Sequence, residues 1–107
     1  MVSVLEFLQF GEKALANKNS SGVEKYITDD FEMVTPSTTL SRQGFLDWVA
    51  SGGSPTVPSN YEVIYENDEV AVIHHDANRG DNKGVAMVVY LKRDGKISSC
   101  RVVRTAI

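Results

Sequence analysis

The stretch from Asn60 to Arg104, NYEVIYENDEVAVIHHDANRGDNKGVAMVVYLKRDGKISSCRVVR, decides the fold of this chain. Apolar and polar residues alternate along much of it, and turn-forming residues divide it into four segments, a pattern typical of β-strands. We predict strands over residues 61–66, 69–78, 85–92 and 96–105, separated by Asn67-Asp68, by a longer loop over 79–84, and by Asp94-Gly95. The Asp-Gly pair is a strong signal for a tight hairpin turn. The second half of the chain therefore predicts an antiparallel sheet.

The first half of the chain predicts three helices and one strand. Apolar residues at helical spacing indicate a helix over 2–17, where Ser3 and Glu6 have the spacing of a capping box. The remaining predicted elements are a short helix capped by Ser21 and ended by Asp29-Asp30, a strand over 31–35, a loop over 37–40, and a helix from Ser41 to Gly52-Gly53. This order indicates an α+β fold, and the length suits a single domain over residues 1–107.

Composition excludes several classes of function. The chain has 11 basic and 14 acidic residues, a net charge of −3 and no basic cluster, which argues against nucleic acid as a partner. Cys100 is its only cysteine, so we expect no disulfide within the chain, no multi-cysteine zinc site and a reducing compartment. The adjacent His74 and His75 diverge on a strand and no HxxxH spacing exists, so we expect no metal site. No apolar run has the length of a membrane helix, and the N-terminus lacks the basic region of a signal peptide. We therefore predict a cytoplasmic protein that needs no cofactor and binds no membrane.

Three segments carry a resemblance to a known superfamily: VEKYITDDFEM at 23–33, SRQGFL at 41–46 and RDGKI at 93–97. With the order of elements, they resemble the nuclear-transport-factor-2-like (NTF2-like) superfamily, and within it the small polyketide-cyclase-like (SnoaL-like) proteins. The resemblance implies a cone in which a curved, mostly antiparallel sheet wraps round the N-terminal helix and leaves a pocket between them. It also implies a homodimer formed through the outer face of the sheet.

The same resemblance leaves function open, because the superfamily includes isomerases, dehydratases, epoxide hydrolases, cyclases and binding domains without activity. Laid without gaps on this sequence, the general-base aspartate of the ketosteroid isomerases falls at Thr35, and their oxyanion-hole tyrosine falls near Gly11. Neither residue type is retained, so the resemblance does not carry that mechanism over.

The register of the predicted hairpins assigns side chains to the two faces of the sheet. Because side chains alternate along a strand, the adjacent His74 and His75 must point to opposite faces. If the turns close symmetrically, His74 shares a face with Tyr61, Asp76 and a largely apolar set, which we assign to the concave side. That set is Val63, Tyr65, Val70, Val72, Met87, Val89, Leu91, Cys100 and Val102. His75 is then expected on the outer face.

This register predicts a site for small-molecule chemistry. His74 could transfer a proton near neutral pH, Asp76 could act as a base, and Tyr61 could donate a hydrogen bond to a ligand oxygen. We predict His74 and Asp76 as catalytic residues of a lyase or isomerase acting on a small apolar ligand. The predicted ligand-binding residues are Tyr61, Met87, Val89, Cys100 and Trp48. The structural alternatives are an aspartate that caps a turn, a core tryptophan, and a cysteine that is a small buried hydrophobe.

The competing prediction is a non-catalytic interaction module. Its function would lie on the outer face, around Ile73, His75, Val88, Tyr90 and Arg101. The predicted homodimer rests on the same register, which places Ala71, Ile73, Ala86, Val88 and Val103 outward. A deep pocket would favour the small-molecule site, whereas a filled interior beside an apolar outer face would favour the interaction module.

Overall fold

The computed structural model describes residues 2–107. Along the chain they form α1 (Val4–Ala16), a single 3₁₀ turn (Val23–Tyr26), β1 (Ile27–Val34), β2 (Thr39–Ser41), α2 (Arg42–Ala50), β3 (Val57–Glu66), β4 (Val70–Asn78), β5 (Gly84–Arg93) and β6 (Lys96–Ala106). The strands make one sheet in the order β2-β1-β6-β5-β4-β3. The pair β1 and β6 is parallel and every other pair is antiparallel, which confirms the α+β prediction. Within residues 2–107, no helix has the length and apolarity required to cross a bilayer.

Both helices begin at the predicted caps. The Ser3 hydroxyl accepts a hydrogen bond from the Glu6 amide at 3.1 Å, and the Ser41 hydroxyl accepts one from Gly44 at 3.1 Å. Each bond satisfies an amide that has no partner inside the helix. Gly52 and Gly53 have φ of +96° and +75°, a conformation that ends α2 at little cost for glycine.

The segment after α1 differs from the prediction. Ser21 does not cap a helix there: Gly22 occupies the N-cap position with φ +89°, and only one 3₁₀ turn follows. Strand β1 then begins at Ile27, which pairs with Ile97, so Asp29-Asp30 lies within a strand. The predicted loop over 37–40 also contains most of β2, whose pairing with β1 could not be read from so short a polar segment.

Extra residues in two strands change the register of the sheet. The Asp94-Gly95 turn pairs Arg93 with Lys96 as predicted, but Leu91 then pairs with Ser99 because Ser98 is an unpaired extra residue. In β3, Val63 pairs with Ile73 and Tyr65 with Val72, which leaves Ile64 unpaired. One extra residue turns the rest of a strand over relative to its partner.

The turn between β4 and β5 is also tighter than predicted. Arg79 and Asn82 exchange two main-chain hydrogen bonds of 2.9 Å around Gly80-Asp81, so the predicted longer loop is a two-residue turn. His74 pairs with Met87, and this pairing keeps the two on one face, as predicted.

The predicted concave face is therefore right for Tyr61 and Val63 of β3 and for β6, and wrong for β4, for β5 and for Tyr65, which lies beyond the extra residue of β3 and faces outward. Tyr61, Val63, Cys100 and Val102 pack against the core as predicted. The inner residues of β4 and β5, at most 5% exposed, are Ala71, Ile73, Ala77, Ala86, Val88 and Tyr90. The residues of β4 and β5 that face outward instead are Val70, Val72, His74, Asp76, Met87, Val89 and Leu91. Of the residues predicted outward, Arg101 and Val103 are on the outer face, and Ala71, Ile73, His75, Ala86, Val88 and Tyr90 are not.

A buried ion pair joins α1 to the sheet. Lys92, 7% exposed, extends inward from β5 and donates to Glu66 Oε2 at 2.6 Å and to the main-chain oxygen of Asn67 at 3.0 Å. The same Glu66 oxygen accepts the amide of Val4, the first residue of α1, at 2.7 Å. Burial alone would raise the pKa of Glu66, but the bonds from Lys92 and Val4 outweigh it and hold that pKa below its ordinary value. One carboxylate thus neutralises a buried ammonium and satisfies a helix amide.

We expect Glu66→Gln to lower the free energy of unfolding by about 3 kcal/mol, because it leaves the Lys92 ammonium buried without a counter-charge. Urea denaturation at pH 7 measures this. The double variant Glu66→Gln/Lys92→Met should regain much of the lost stability, and Asp30→Asn, which breaks the exposed ion pair with Arg93, should change the stability little.

The lowered pKa of Glu66 means that its contribution to stability is present above its ordinary pKa of 4.5 and is lost as the pH falls through the folded value. The difference in the free energy of unfolding between wild type and Glu66→Gln should therefore shrink on acidification. A difference that does not depend on pH would contradict this account.

Candidate functional site

The two histidines lie on opposite faces of the sheet, but His75 is the inner one. The centre of its ring lies 5.2 Å from that of Tyr61, and its Nδ1 lies 2.7 Å from the main-chain oxygen of Asp76. A carbonyl oxygen only accepts, so Nδ1 carries a proton and donates it. In the neutral ring Nε2 is then the free acceptor. His75 is therefore oriented by its own strand to accept a proton or a hydrogen bond through Nε2.

Tyr61 links this part of the sheet to α1. Its hydroxyl donates to Glu12 Oε1 at 2.7 Å across the space between β3 and the helix. Burial raises the pKa of Tyr61, and the hydrogen bond and negative charge of Glu12 raise it further. The phenol is consequently protonated throughout the physiological range, and it can act as a donor but not as a base.

Tyr90 and Cys100 lie on the inner face of the sheet near Tyr61. They are paired across β5 and β6, and are 5% and 7% exposed. Burial raises the pKa of Tyr90, as do the neighbouring Cys100 and Tyr61. Burial also raises the pKa of the Cys100 thiol to about 12 against a smaller opposing effect of the Tyr90 hydrogen bond. Both groups are uncharged at neutral pH, so Cys100 is not an activated nucleophile.

The interior beside this cluster is filled by side chains. The Phe7 ring of α1 lies edge-on to Tyr90 at 6.1 Å between ring centres, and Phe7 is 7% exposed. Phe7 also contacts Tyr26 at 6.2 Å, and Tyr26 packs on Phe10 at 5.0 Å, so the aromatic rings form one continuous cluster. Aromatic rings thus occupy the space under α1 that the resemblance implies as a pocket.

The structure separates the predicted site residues. His74 lies on the outer face between Glu62 and Met87, with Val89 on the same face. Asp76 accepts a hydrogen bond from the Asn60 side chain at 2.6 Å, where Asn60 has φ +54° beside a break in the β3 register. This contact fits the structural role of an aspartate at a strand irregularity. The catalytic roles of His74 and Asp76 stay predictions, but their predicted position on the concave face is wrong.

Of the five predicted ligand-binding residues, Tyr61 and Cys100 remain together on the concave side. Met87 and Val89 are on the outer face, and Met87 is 42% exposed. Trp48 lies on α2, where it stacks on Phe45 at 5.9 Å between ring centres, and so belongs to the core.

Glu12, His75 and Tyr90 are the inner polar residues that the predicted site did not include. Glu12 reaches Tyr61 from α1, whereas His75 and Tyr90 share the inner face with the buried Ala71, Ala77 and Ala86, whose small apolar side chains are the sequence signal for that face. Lys92 concealed this signal, because a lysine on a strand normally marks the solvent face. Its inward position depends on Glu66, which is 26 residues away.

The positions aligned with the isomerase residues have structural roles. The Thr35 hydroxyl donates to the Thr38 main-chain oxygen at 3.0 Å in the connection between β1 and β2. Gly11 lies within α1 and offers no functional group.

Comparisons of sequence with known proteins identify no relative. No protein-family profile matches the chain. No curated protein matches it either.

Comparisons of structure identify many solved proteins of similar fold. A protein from Sphaerobacter thermophilus superposes with a TM-score of 0.74 at 9% identity, over 100% of this chain and 98% of its own. An NTF2-like protein of unknown function from Cytophaga hutchinsonii superposes with a TM-score of 0.66 at 16% identity, over 98% of this chain and 92% of its own. A candidate ketosteroid isomerase from Kribbella flavida superposes with a TM-score of 0.66 at 14% identity, over 92% of this chain and 75% of its own. The chain therefore has the nuclear-transport-factor-2-like fold, as its sequence resemblance predicts, and identities this low establish the fold alone.

We expect Cys100 to react slowly with a thiol reagent such as Ellman's reagent in the native protein, because burial excludes the reagent and raises the pKa of the thiol, so that little thiolate forms. The reaction should become fast in denaturant. Rapid labelling of the native protein at pH 8 would show instead that the inner face around Cys100 is open to solvent.

Proposed function

We propose that this protein is an interaction module that forms a homodimer through the outer face of its sheet. The observation that carries the proposal is the apolar surface of that face, which neither helix covers. Tyr65, Met87, Leu91 and Val103 lie on it and are 55%, 42%, 43% and 61% exposed. Surface aliphatic and aromatic residues that are contiguous, rather than scattered, are typical of protein interfaces.

The register shows that these residues are contiguous. Across β3 to β6, Tyr65, Val72, Val89 and Arg101 form one row. Glu62, His74, Met87 and Val103 form the next row, and Val70, Leu91 and Ser99 form a third. The charged Glu62 and Arg101 are thus at the sides, on β3 and β6. The centre, on β4 and β5, is apolar apart from His74. An apolar centre with a polar rim is the usual anatomy of an interface.

The size of the face also suits a partner of this kind. Four strands about 4.8 Å apart and eight residues long, at about 3.3 Å per residue, span roughly 500 Å² in projection. A standard interface buries about 800 Å² of accessible surface on each partner, and accessible surface exceeds projected area. A second copy supplies the same flat apolar face, and dimers with twofold symmetry are the commonest homo-oligomers.

We expect wild type to have twice the monomer mass of 11.8 kDa, and Met87→Glu to have the monomer mass, because a carboxylate at the centre of an apolar interface is not solvated. Sedimentation at micromolar concentration measures both. Leu5→Glu is the matched control: Leu5 is 41% exposed but lies on α1, so this variant should sediment as wild type does. A monomeric wild type would refute the proposal.

A second candidate function is the binding of a small carbonyl compound on the concave side. It is favoured by the geometry of His75, whose Nδ1 is fixed by the Asp76 carbonyl and whose ring centre lies 5.2 Å from that of Tyr61. Because the Tyr61 hydroxyl already donates to Glu12, a ligand would donate to Nε2 of His75 and would receive a hydrogen bond from Tyr61 only by displacing Glu12.

Thermal unfolding with a panel of small ketones and enones tests this second function. A ligand that binds there should raise the Tm of wild type and of His74→Ala, but not that of His75→Ala. Loss of the shift in His74→Ala alone would support the original prediction of His74 instead. Absence of any shift across the panel would count against the second function.

A further inference from the structure

An open cleft lies on the concave side, at the end of the sheet away from Lys92. It has a volume of about 430 Å³ and is open to solvent. Its walls come from the turn between β4 and β5 and from the end of β6, and the residues that matter are Arg79, Asn82, Lys83, Arg104 and Ile107. We infer that this cleft binds a small molecule with a carboxylate or phosphate group and a short apolar body.

The main chain around the cleft is well held. Arg79 and Asn82 are joined by two main-chain hydrogen bonds of 2.9 Å, and the Ile107 amide donates to the Lys83 carbonyl at 3.0 Å. The cleft is therefore formed by paired backbone at the ends of three neighbouring strands. A pre-formed cleft of this size suits a small ligand, because little conformational entropy is lost on binding.

The two arginines are fixed through one nitrogen each. Arg104 donates from Nε to the Ala77 carbonyl at 2.9 Å, and Arg79 donates from Nε to the Thr56 hydroxyl at 2.6 Å. Neither bond uses the terminal nitrogens, which form the fork that binds carboxylate or phosphate. Both guanidinium groups are thus positioned by their Nε bonds, which leaves the terminal nitrogens of Arg79 and Nη1 of Arg104 for another partner.

The Arg104 guanidinium is held in place by close packing as well as by its Nε bond. Among residues 2–107, its Nη2 is buried and has no hydrogen-bond acceptor. The guanidinium lies against Gly84, where a Cβ atom would be 2.5 Å from Nη2 and 2.8 Å from the Ala77 carbonyl oxygen. Only glycine allows this approach. Because Nη2 is shielded from solvent there, an anion in the open cleft would be bound by the other terminal nitrogen of Arg104, Nη1.

The charge of the cleft has the opposite sign to that of the whole chain. Arg79, Lys83 and Arg104 border it, and Asp81 is the one acidic side chain among the lining residues. Within the described range, the ion pairs closer than 4.0 Å are Lys92 with Glu66 and Arg93 with Asp30. The three cations of the cleft therefore have no carboxylate partner in a chain whose net charge is −3. Ala106 and Ile107 add the apolar surface for the body of the ligand.

Benzoate is a suitable probe, with benzamide as its uncharged match and inorganic phosphate as an anion without an apolar body. Titration of the ¹⁵N-labelled protein should show saturable shifts with benzoate at the amides of residues 79–84 and 104–107, and none with benzamide. Phosphate should shift the same amides more weakly. We expect Arg104→Gln and Lys83→Gln each to weaken benzoate binding by about tenfold or more, the usual effect of losing a charge-assisted hydrogen bond.

Arg101→Gln is the matched control, because it removes the same charge from the outer face of the same strand. It should leave benzoate affinity unchanged. Lys83 is exposed, so Lys83→Gln keeps the test valid even if Arg104→Gln fails to fold. The inference is overturned by the absence of saturable shifts with benzoate, by equal shifts with benzamide, or by an equal loss of affinity in Arg101→Gln. Dimer mass is independent of all these readouts.

Discussion

The structure depends on how the Lys92 ammonium is accommodated inside it. A lysine on the helix-facing side of a sheet is tolerated only with a counter-charge and further acceptors, which Glu66 and the Asn67 carbonyl provide. Because the same Glu66 oxygen receives the first amide of α1, the ion pair also sets where the helix lies along the sheet. Phe7 and Glu12 then meet Tyr90 and Tyr61 at successive positions along that helix.

The two faces of the sheet consequently have different chemistry. On the inner face, which α1 covers, Tyr61 is paired with Glu12, and burial holds Tyr90 and Cys100 uncharged. The outer face has its apolar residues at the centre and lies on the side away from both helices. This contrast favours association over deep ligand binding as the main role. It leaves chemistry with small molecules to the ends of the concave side, near His75 and near Arg104.

The features that the sequence predicts are those decided by neighbouring residues. Ser3, Ser41 and Asp94-Gly95 act within a few positions of themselves, and all three function as predicted. The facing of β4 and β5 depends on Ile64 and Ser98, single extra residues that leave no mark in the alternation of apolar and polar positions. These two insertions place Tyr61 and Val63 of β3, and Cys100 and Val102 of β6, on the predicted face, whereas the strands between them are reversed. The predicted site was divided for this reason, with Tyr61 and Cys100 inside and His74 and Asp76 outside.

The order of strands has a consequence for how the chain folds. The last strand, β6, lies inside the sheet, between β1 from the first third of the chain and β5. The parallel pair of β1 and β6 joins Ile27 to Ile97, so the connection that it closes spans most of the polypeptide. Closing so long a connection lowers the entropy of the chain before the stabilising contacts between β1 and β6 form, which slows folding. Residues 96–106 must therefore leave the ribosome before β1 can pair with β6, and until then β1 has only the short β2 to pair with.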